Sequence, residues 1–446
     1  MQTQKARVAT GIEGLDSILG GGFPQGRLYL LEGPPGSGKT TLSLQFLLHG
    51  LSKGERCLYI TLSETADELR EVANAHGWSL DGLDLFELAS AEEALGDGRM
   101  QSVLHSWEVE LDETVKLILG EVERIKPHRV VFDSLSELRL LSQDPLRYRR
   151  QILSLKQFFQ FFAPKSATVV LVDDMTASGE ERDGQLHSLC HGVVSLERLT
   201  LDFGPARRRM HVQKLRGVNF TAGYHDMTIR EGGLEVFPRL IASDHHAKFN
   251  GTPISSGVGE IDSLLGGGPL RGTSTLLTGP AGSGKTNVAL QYVWAACERG
   301  EHCCIFEFDE RIGTLLARAE SLDIDLSKHL ATGLLEIQQV DPAEISPGEF
   351  AWNMQRAVEE RQCRLLVIDS LSGYVTAMPQ EKQLMLQLHE MLSYLNQRGV
   401  ATILINPQHG RSAPCPRAIS TCPTSPTRSY CSASSSRRGG SAKRSR

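Results

Sequence analysis

The stretch Leu28-Tyr29-Leu30-Leu31-Glu32-Gly33-Pro34-Pro35-Gly36-Ser37-Gly38-Lys39-Thr40-Thr41 decides the fold. LYLLEG reads as a short apolar strand, a Gly-rich loop follows, and TTLSLQFLLHGLSKG (40–54) spaces its apolar residues as one face of a helix requires. Gly33 through Thr40 fits G-x-x-x-x-G-K-[ST]. The glycines Gly33, Gly36 and Gly38, with Ser37, let successive backbone N–H groups curl around phosphate oxygens. Lys39 reaches the β- and γ-phosphates, and Thr40 places a hydroxyl on Mg²⁺. The helix N-terminus adds its positive end to the same place.

The same signal occurs twice. TGIEGLDSILGGG (10–22) returns as SGVGEIDSLLGGG (256–268), and EGPPGSGKTT (32–41) returns as TGPAGSGKTN (278–287). From Gly11 to Glu64 the second copy follows the first at a constant offset of 246, with about two-fifths of the residues identical. A period that long is a duplicated domain, since solenoid repeats run ~20–50 residues. The second loop supplies Gly279, Gly282, Ser283, Gly284, Lys285 and Thr286, and Thr41 and Asn287 complete the two nucleotide-binding sets.

Working outward, CLYITLSE (57–64), RVVFDS (129–134) and ATVVLVDD (167–174) read as further buried strands with helices between them. STLLTG, CCIFEFDE, RLLVIDS and ATILIN repeat the pattern in the second half. Short β-rich runs alternating with helices predict an α/β fold, a mostly parallel sheet flanked by helices in each half. The expected domains are 1–240 and 254–410, joined by the polar linker IASDHHAKFNGTP (241–253).

Length, charge and cysteine content bound the function. The chain has 446 residues, 40% of them hydrophobic, enough for two or three domains. No run approaches the ~18 apolar residues of a membrane span. The opening MQTQKARVATG lacks the apolar run of an export signal, so the nine cysteines read as reduced cytoplasmic thiols. The net charge is −6, but residues 411–446 carry eight Lys/Arg and no acid, which leaves −14 on residues 1–410. An acidic body argues against a general duplex-DNA binder.

Further residues carry chemistry by position. Asp133 and Asp369 end apolar strands, where a carboxylate holds the hydration shell of Mg²⁺. Glu64 and Glu310 end the strand after each loop helix, where such a group orients or deprotonates an attacking water. Lys214 and Arg216, in Lys214-Leu215-Arg216-Gly217, can serve as a cationic finger for a neighbouring nucleotide or sit as a solvated pair on an edge strand. Asn406 and Gln408 can sense a γ-phosphate or cap a loop. His245-His246 and Cys303-Cys304 lack zinc-site spacing, and Trp78, Trp107, Trp294 and Trp352 are scattered like packing residues.

Taken together, the paired leaders, the two loops, YITLSE and FEFDE, FDSLSEL and IDSLSGY, and KLRG resemble the KaiC family over about residues 8–410. The resemblance implies two tandem RecA-like P-loop NTPase domains assembled as a double-ring hexamer, with ATP and Mg²⁺ between subunits. It implies ATP hydrolysis in the first domain and Ser/Thr autophosphorylation in the second, with regulatory protein partners, and it sends Lys214 and Arg216 to ATP on the adjacent protomer. Many members carry adjacent glutamates after the second strand; here the pairs are Ser63-Glu64 and Asp309-Glu310, which leaves Asp309 as a second catalytic carboxylate only in the second domain. Two rival readings are a recombinase- or helicase-like DNA motor and a nucleotide-gated scaffold with little turnover.

The chain leaves the family pattern after INPQHG (405–410), and from residue 411 it is a Ser-, Arg- and Pro-rich tail expected to be disordered. Ile419-Ser420-Thr421 echoes a family phosphosite in surroundings that do not match. The tail reads as out of frame. Related chains continue with a stretch like SYLADTVLLLRFFE, and Ser425-Pro426-Thr427-Arg428 is what GC-rich LADT codons yield one base out of register. CTC-GCC-GAC-ACG, shifted by one base, gives TCG-CCG-ACA-CGN. Resequencing the 3′ end of the gene tests this: a LADT-like strand in another frame near codon 425 is expected, and its absence makes the tail genuine.

Overall fold

The computed structural model describes residues 6–88, 107–141, 145–161, 167–174, 186–201, 204–341, 343–376, 384–407 and 428–431. The chain divides into two compact units, Met1–Arg239 and Leu240–Arg446.

In the first unit the strands are β1 (Arg7–Val8), β2 (Phe23–Pro24), β3 (Leu28–Gly33), β4 (Cys57–Thr61), β5 (Asp84–Glu87), β6 (Arg129–Asp133), β7 (Thr168–Asp174), β8 (Gly192–Leu199), β9 (Arg207–Leu215), β10 (Tyr224–Arg230) and β11 (Gly233–Phe237). β1 and β2 pair with each other, and the other nine form one sheet in the order β11-β10-β9-β8-β3-β7-β6-β4-β5. From β8 to β5 every pairing is parallel; β8 to β11 is an antiparallel meander. Strands β3, β4 and β6 are buried along their whole length, which is why they read as mainly apolar runs. Their side chains alternate between two cores: Tyr29 and Leu31 join one, Leu28 and Leu30 the other.

The second unit repeats this with β12 (Ser274–Gly279), β13 (Cys303–Glu307), β14 (Leu335–Gln339), β15 (Leu365–Asp369), β16 (Ala401–Pro407) and β17 (Arg428–Cys431), ordered β14-β13-β15-β16-β12-β17 and parallel throughout. The predicted α/β architecture with mostly parallel sheets therefore holds in both units. The leader repeat has a local cause: Asp16 accepts from the Thr10 amide at 2.7 Å and its hydroxyl at 2.8 Å, and Asp262 accepts from the Ser256 amide at 2.8 Å.

One part of the tail departs from the expectation of disorder. Arg428–Cys431 is a strand, pairing Thr275 with Arg428 as β3 pairs Tyr29 with Gly192. The slot that β8 fills in the first sheet is filled by these four residues in the second. An open edge of β12 offers unpaired backbone groups, and four extended residues satisfy them whatever their side chains.

The meander marks the main difference between the units. In the first, helix α1 (Glu13–Ile18) buries Gly14, Leu15 and Ile18 beneath β11, so closely that a Cβ on Gly14 would lie 1.8 Å from the Val236 carbonyl oxygen. In the second, no strand equivalent to β9, β10 or β11 is present among the described residues. The corresponding helix, Gly259–Leu264, buries nothing, and Leu264 is 84% exposed where Ile18 is 1% exposed. Ile18→Ala should therefore cost about 2–5 kcal/mol, whereas Leu264→Ala should stay within about 0.5 kcal/mol of the parent. Chemical denaturation of the two variants checks this, and equal losses would contradict it.

Candidate functional site

Each predicted loop is a turn that only its residues permit. Gly36 and Gly38 take φ of 72° and 104°, and Gly282 and Gly284 take 76° and 83°, the left-handed region that favours glycine. A Cβ on Gly33 would lie 2.7 Å from the Leu196 carbonyl oxygen and 2.8 Å from Ser37 Oγ, so the loop closes tightly on β8. Helix α2 (Lys39–Ser52) and the helix Lys285–Glu298 start directly at the two lysines. Thr41 is buried and Asn287 half-buried just inside those helices.

The first loop lysine is folded back. Lys39 Nζ donates to the carbonyls of Gly33 at 2.8 Å and Pro34 at 3.0 Å, and it pairs with Asp174 Oδ1 at 2.7 Å. Asp174 was not among the expected site residues. The available signal was the Asp-Asp that closes ATVVLVDD, because β7 lies beside β3 and sets Asp174 opposite Gly33. Lys285 Nζ makes the same two carbonyl contacts, to Gly279 at 3.1 Å and Pro280 at 2.8 Å. Opposite Gly279, however, the second sheet places Pro407.

The carboxylates differ as well. Asp133, at the end of β6, accepts from the Tyr59 hydroxyl at 2.6 Å, and Tyr59 also hydrogen-bonds Thr40. Burial raises the Asp133 carboxyl above its ordinary range, and the Tyr59 bond opposes that shift. Ile305 occupies the Tyr59 position in the second copy, and there Thr286 Oγ1 donates directly to Asp369 Oδ2 at 2.8 Å. Burial raises the Asp369 carboxyl too. Both pairs keep a hydroxyl and a carboxylate together at the mouth of the loop, the oxygen-only donor set that suits Mg²⁺.

Glu64 and Glu310 meet different fates. The Glu64 backbone is pinned by Thr61, which donates to its carbonyl at 2.7 Å and accepts from its amide at 3.0 Å. Its side chain is left open: Oε2 is buried with no hydrogen-bond partner among the described residues. Burial raises its carboxyl, Asp133 reinforces the shift, and Lys39 works against it. Glu310 Oε1 instead accepts from Arg318 at 2.6 Å, and Asp309 Oδ2 is taken by the Ser370 hydroxyl. Glu307 stands where Thr61 does, accepts from the Glu310 amide at 2.9 Å, and is pushed by burial up to about 8.

Lys214 and Arg216 lie apart from this cluster. Lys214 Nζ donates to the His187 carbonyl and Arg216 Nη2 to that of Ser188 at 2.7 Å, so both are anchored on the turn 186–189. Asn406 is half-buried on β16, and Gln408 and Ile419-Ser420-Thr421 lie outside the described residues. Cys303 and Cys304 are buried core residues, and among the described residues no three potential ligands cluster around a metal position.

The fit to a nucleoside triphosphate rests on the loops themselves. Ser37 Oγ and Ser283 Oγ are buried at matched positions with no hydrogen-bond partner among the described residues, and both lysines satisfy themselves only with loop carbonyls and, in the first site, Asp174. Comparison with known proteins agrees. Residues 8–241 and 254–416 match the family described as "ATPase: KaiC". The chain belongs to the KaiC family of ATPases.

Among relatives, the circadian clock protein KaiC2 of Synechocystis is 27% identical over 402 residues, covering 89% of this chain and 68% of its own. The circadian clock oscillator protein KaiC of Parathermosynechococcus lividus is 29% identical, covering 83% and 68%. That of Prochlorococcus marinus is 30% identical, covering 84% and 73%. Membership in this family implies nucleotide binding and tandem RecA-like domains. Among the described residues no helix is long and apolar enough to cross a membrane.

Proposed function

We propose that this KaiC-family chain is a cytoplasmic, Mg²⁺-dependent ATPase that turns over mainly in its first site. The carrying observation is the contrast at the candidate bases: Glu64 presents a buried carboxylate oxygen with no partner among the described residues, whereas Glu310 is paired with Arg318. In the first site Glu64 takes a proton from water, whose oxygen bonds to the γ-phosphorus. The bond to the bridging oxygen breaks, and ADP leaves with that electron pair. Lys39, released from Asp174, neutralises the β- and γ-oxygens. Thr40 and Asp133 would hold Mg²⁺, which when bound would add positive charge to the site.

The second site keeps Lys285, Thr286 and Asp369 and is read as an ATP-binding site. Autophosphorylation on Ser/Thr, with Asp309 and Glu310 as its carboxylates, is the finer reading carried by the family. Lys214 and Arg216 are assigned to the ATP of an adjacent subunit, making the working form a homo-oligomer, a hexamer as in the double-ring arrangement. Its nucleotide state would then be read by regulatory protein partners. The DNA-motor alternative predicts DNA-stimulated turnover, which the acidic body disfavours.

Phosphate release should fall by about 10²–10³-fold in Lys39→Ala, the size of effect seen when a charge-stabilising donor is removed. Lys285→Ala should cost far less, and equal losses would overturn the division of labour. Sedimentation should show assembly strengthened by a Mg·ATP analogue, because a ligand bound only by the assembled form stabilises it by mass action. A monomer under both conditions would refute the inter-subunit site.

A further inference from the structure

Next to the first loop is a buried polar cluster that the second unit does not repeat. Glu32, immediately before Gly33, is 3% exposed, a costly place for a carboxylate unless it is fully bonded. Its Oε1 accepts from Ser195 Oγ at 2.6 Å and Gln213 Nε2 at 3.0 Å, and its Oε2 lies 2.8 Å from His187 Nε2. At the equivalent position in the second copy stands Thr278.

The cluster links, through side chains, the phosphate loop after β3 and the Lys214/Arg216 end of β9, which the sheet already places two strands apart. On one side Glu32 is covalently continuous with Gly33, whose carbonyl holds the Lys39 ammonium. On the other, the backbone of His187 and Ser188 holds Lys214 and Arg216. Gln213, which bonds Glu32, directly precedes Lys214 on β9. Recruiting Lys39 to a nucleotide removes its bond to Gly33 and so perturbs the residue bonded to His187.

We propose that Glu32 and His187 are positioning residues that couple a subunit's own nucleotide loop to the Lys214/Arg216 finger it offers to its neighbour. The proposal rests on the inter-subunit reading of that finger given above. Occupancy of one site then sets the activity of the next, in one direction around the ring. The coupling element is a carboxylate–imidazole bond whose carboxylate is buried and whose imidazole is half-buried, held by the Ser195 and Gln213 bonds to the same carboxylate. It belongs to the first site alone.

The test uses Glu32→Gln, which keeps the size of the side chain and one acceptor oxygen but turns the other into a donor NH2 and loses the charge, and His187→Asn as a second variant. In both, the KM for ATP should stay within about twofold while kcat falls about tenfold, the scale of a coupling interaction. Mixing in Glu64→Ala subunits, which do not turn over in their first site but carry an intact finger, should raise turnover per Glu32→Gln subunit. A defect confined to the variant's own loop would not respond to such donors, and an unchanged mixture overturns the proposal. An unchanged kcat in both variants overturns it too. Arg216→Ala is the separate control: full turnover there would bring down the inter-subunit reading itself, whereas loss of turnover with silent Glu32 and His187 variants would bring down the coupling alone.

Discussion

Strand β3 is the constraint on which the first site depends. It pairs with β7 on one side and β8 on the other; from β3 the chain runs to β4 on the β7 side, and from β7 it crosses back over β3 to β8. That is the switch point of an open parallel sheet, where the carboxyl ends of the strands open into a crevice. The register then does the rest. Gly33 faces Asp174, Thr61 faces Asp133, and the loop lysine has a carboxylate within reach on a strand more than 130 residues later. Sliding β7 by one residue would turn Asp174 to the other face of the sheet, away from the Lys39 ammonium.

How much of this was legible in the sequence follows from where each interaction is encoded. The phosphate loops were readable because their chemistry is local: backbone N–H groups, two left-handed glycines and a lysine, all within eight residues. Asp133 and Asp369 were readable because an acid closing an apolar strand is a local pattern too. Asp174 carries that pattern as well, but its pairing with Lys39 is fixed by sheet register; Tyr59 and Arg318 carry no such local signal, because each acts through neighbours set by register or by a helix that returns to the site. The Glu32–His187 bond spans 155 residues and involves a residue type that reads, in LYLLEG, as an unremarkable interruption of a strand. Strand Arg428–Cys431 was missed for a different reason: composition predicts side-chain burial, and this pairing needs only backbone.

The two units show how a duplicated frame diverges. The loops, the leader Asp residues and strands β3 and β4 recur at an offset of 246, and the later core strands recur at shorter ones. What changes lies around the reacting carboxylates. Tyr59 becomes Ile305, Thr61 becomes Glu307, Asp174 becomes Pro407, and Arg318 arrives to bind Glu310. Each change leaves binding of a triphosphate possible while altering the groups that would activate water. The second unit also gathers Glu307 and Asp369 across paired strands, and holding both ionised in a buried pocket is unfavourable. A proton retained there at neutral pH weakens the local negative field, which suits retention of an anionic nucleotide better than deprotonation of water.

The cover of the leader helix carries the same argument into packing. In the first unit Gly14 lets the backbone of β11 approach until no Cβ would fit, and Leu15 and Ile18 are sealed beneath it. In the second copy Glu260 occupies the Gly14 position, with a Cβ and a charge where the close approach would occur. A meander packed as in the first unit would collide with that side chain, so restoring an apolar C-terminal segment by a change of frame cannot simply reproduce the first unit's contact. Any strand that covers Leu264 must sit farther from the helix or shift along it, leaving Glu260 a path to solvent. At residue 260, then, the second copy carries a side chain where the first copy has the bare backbone on which β11 packs.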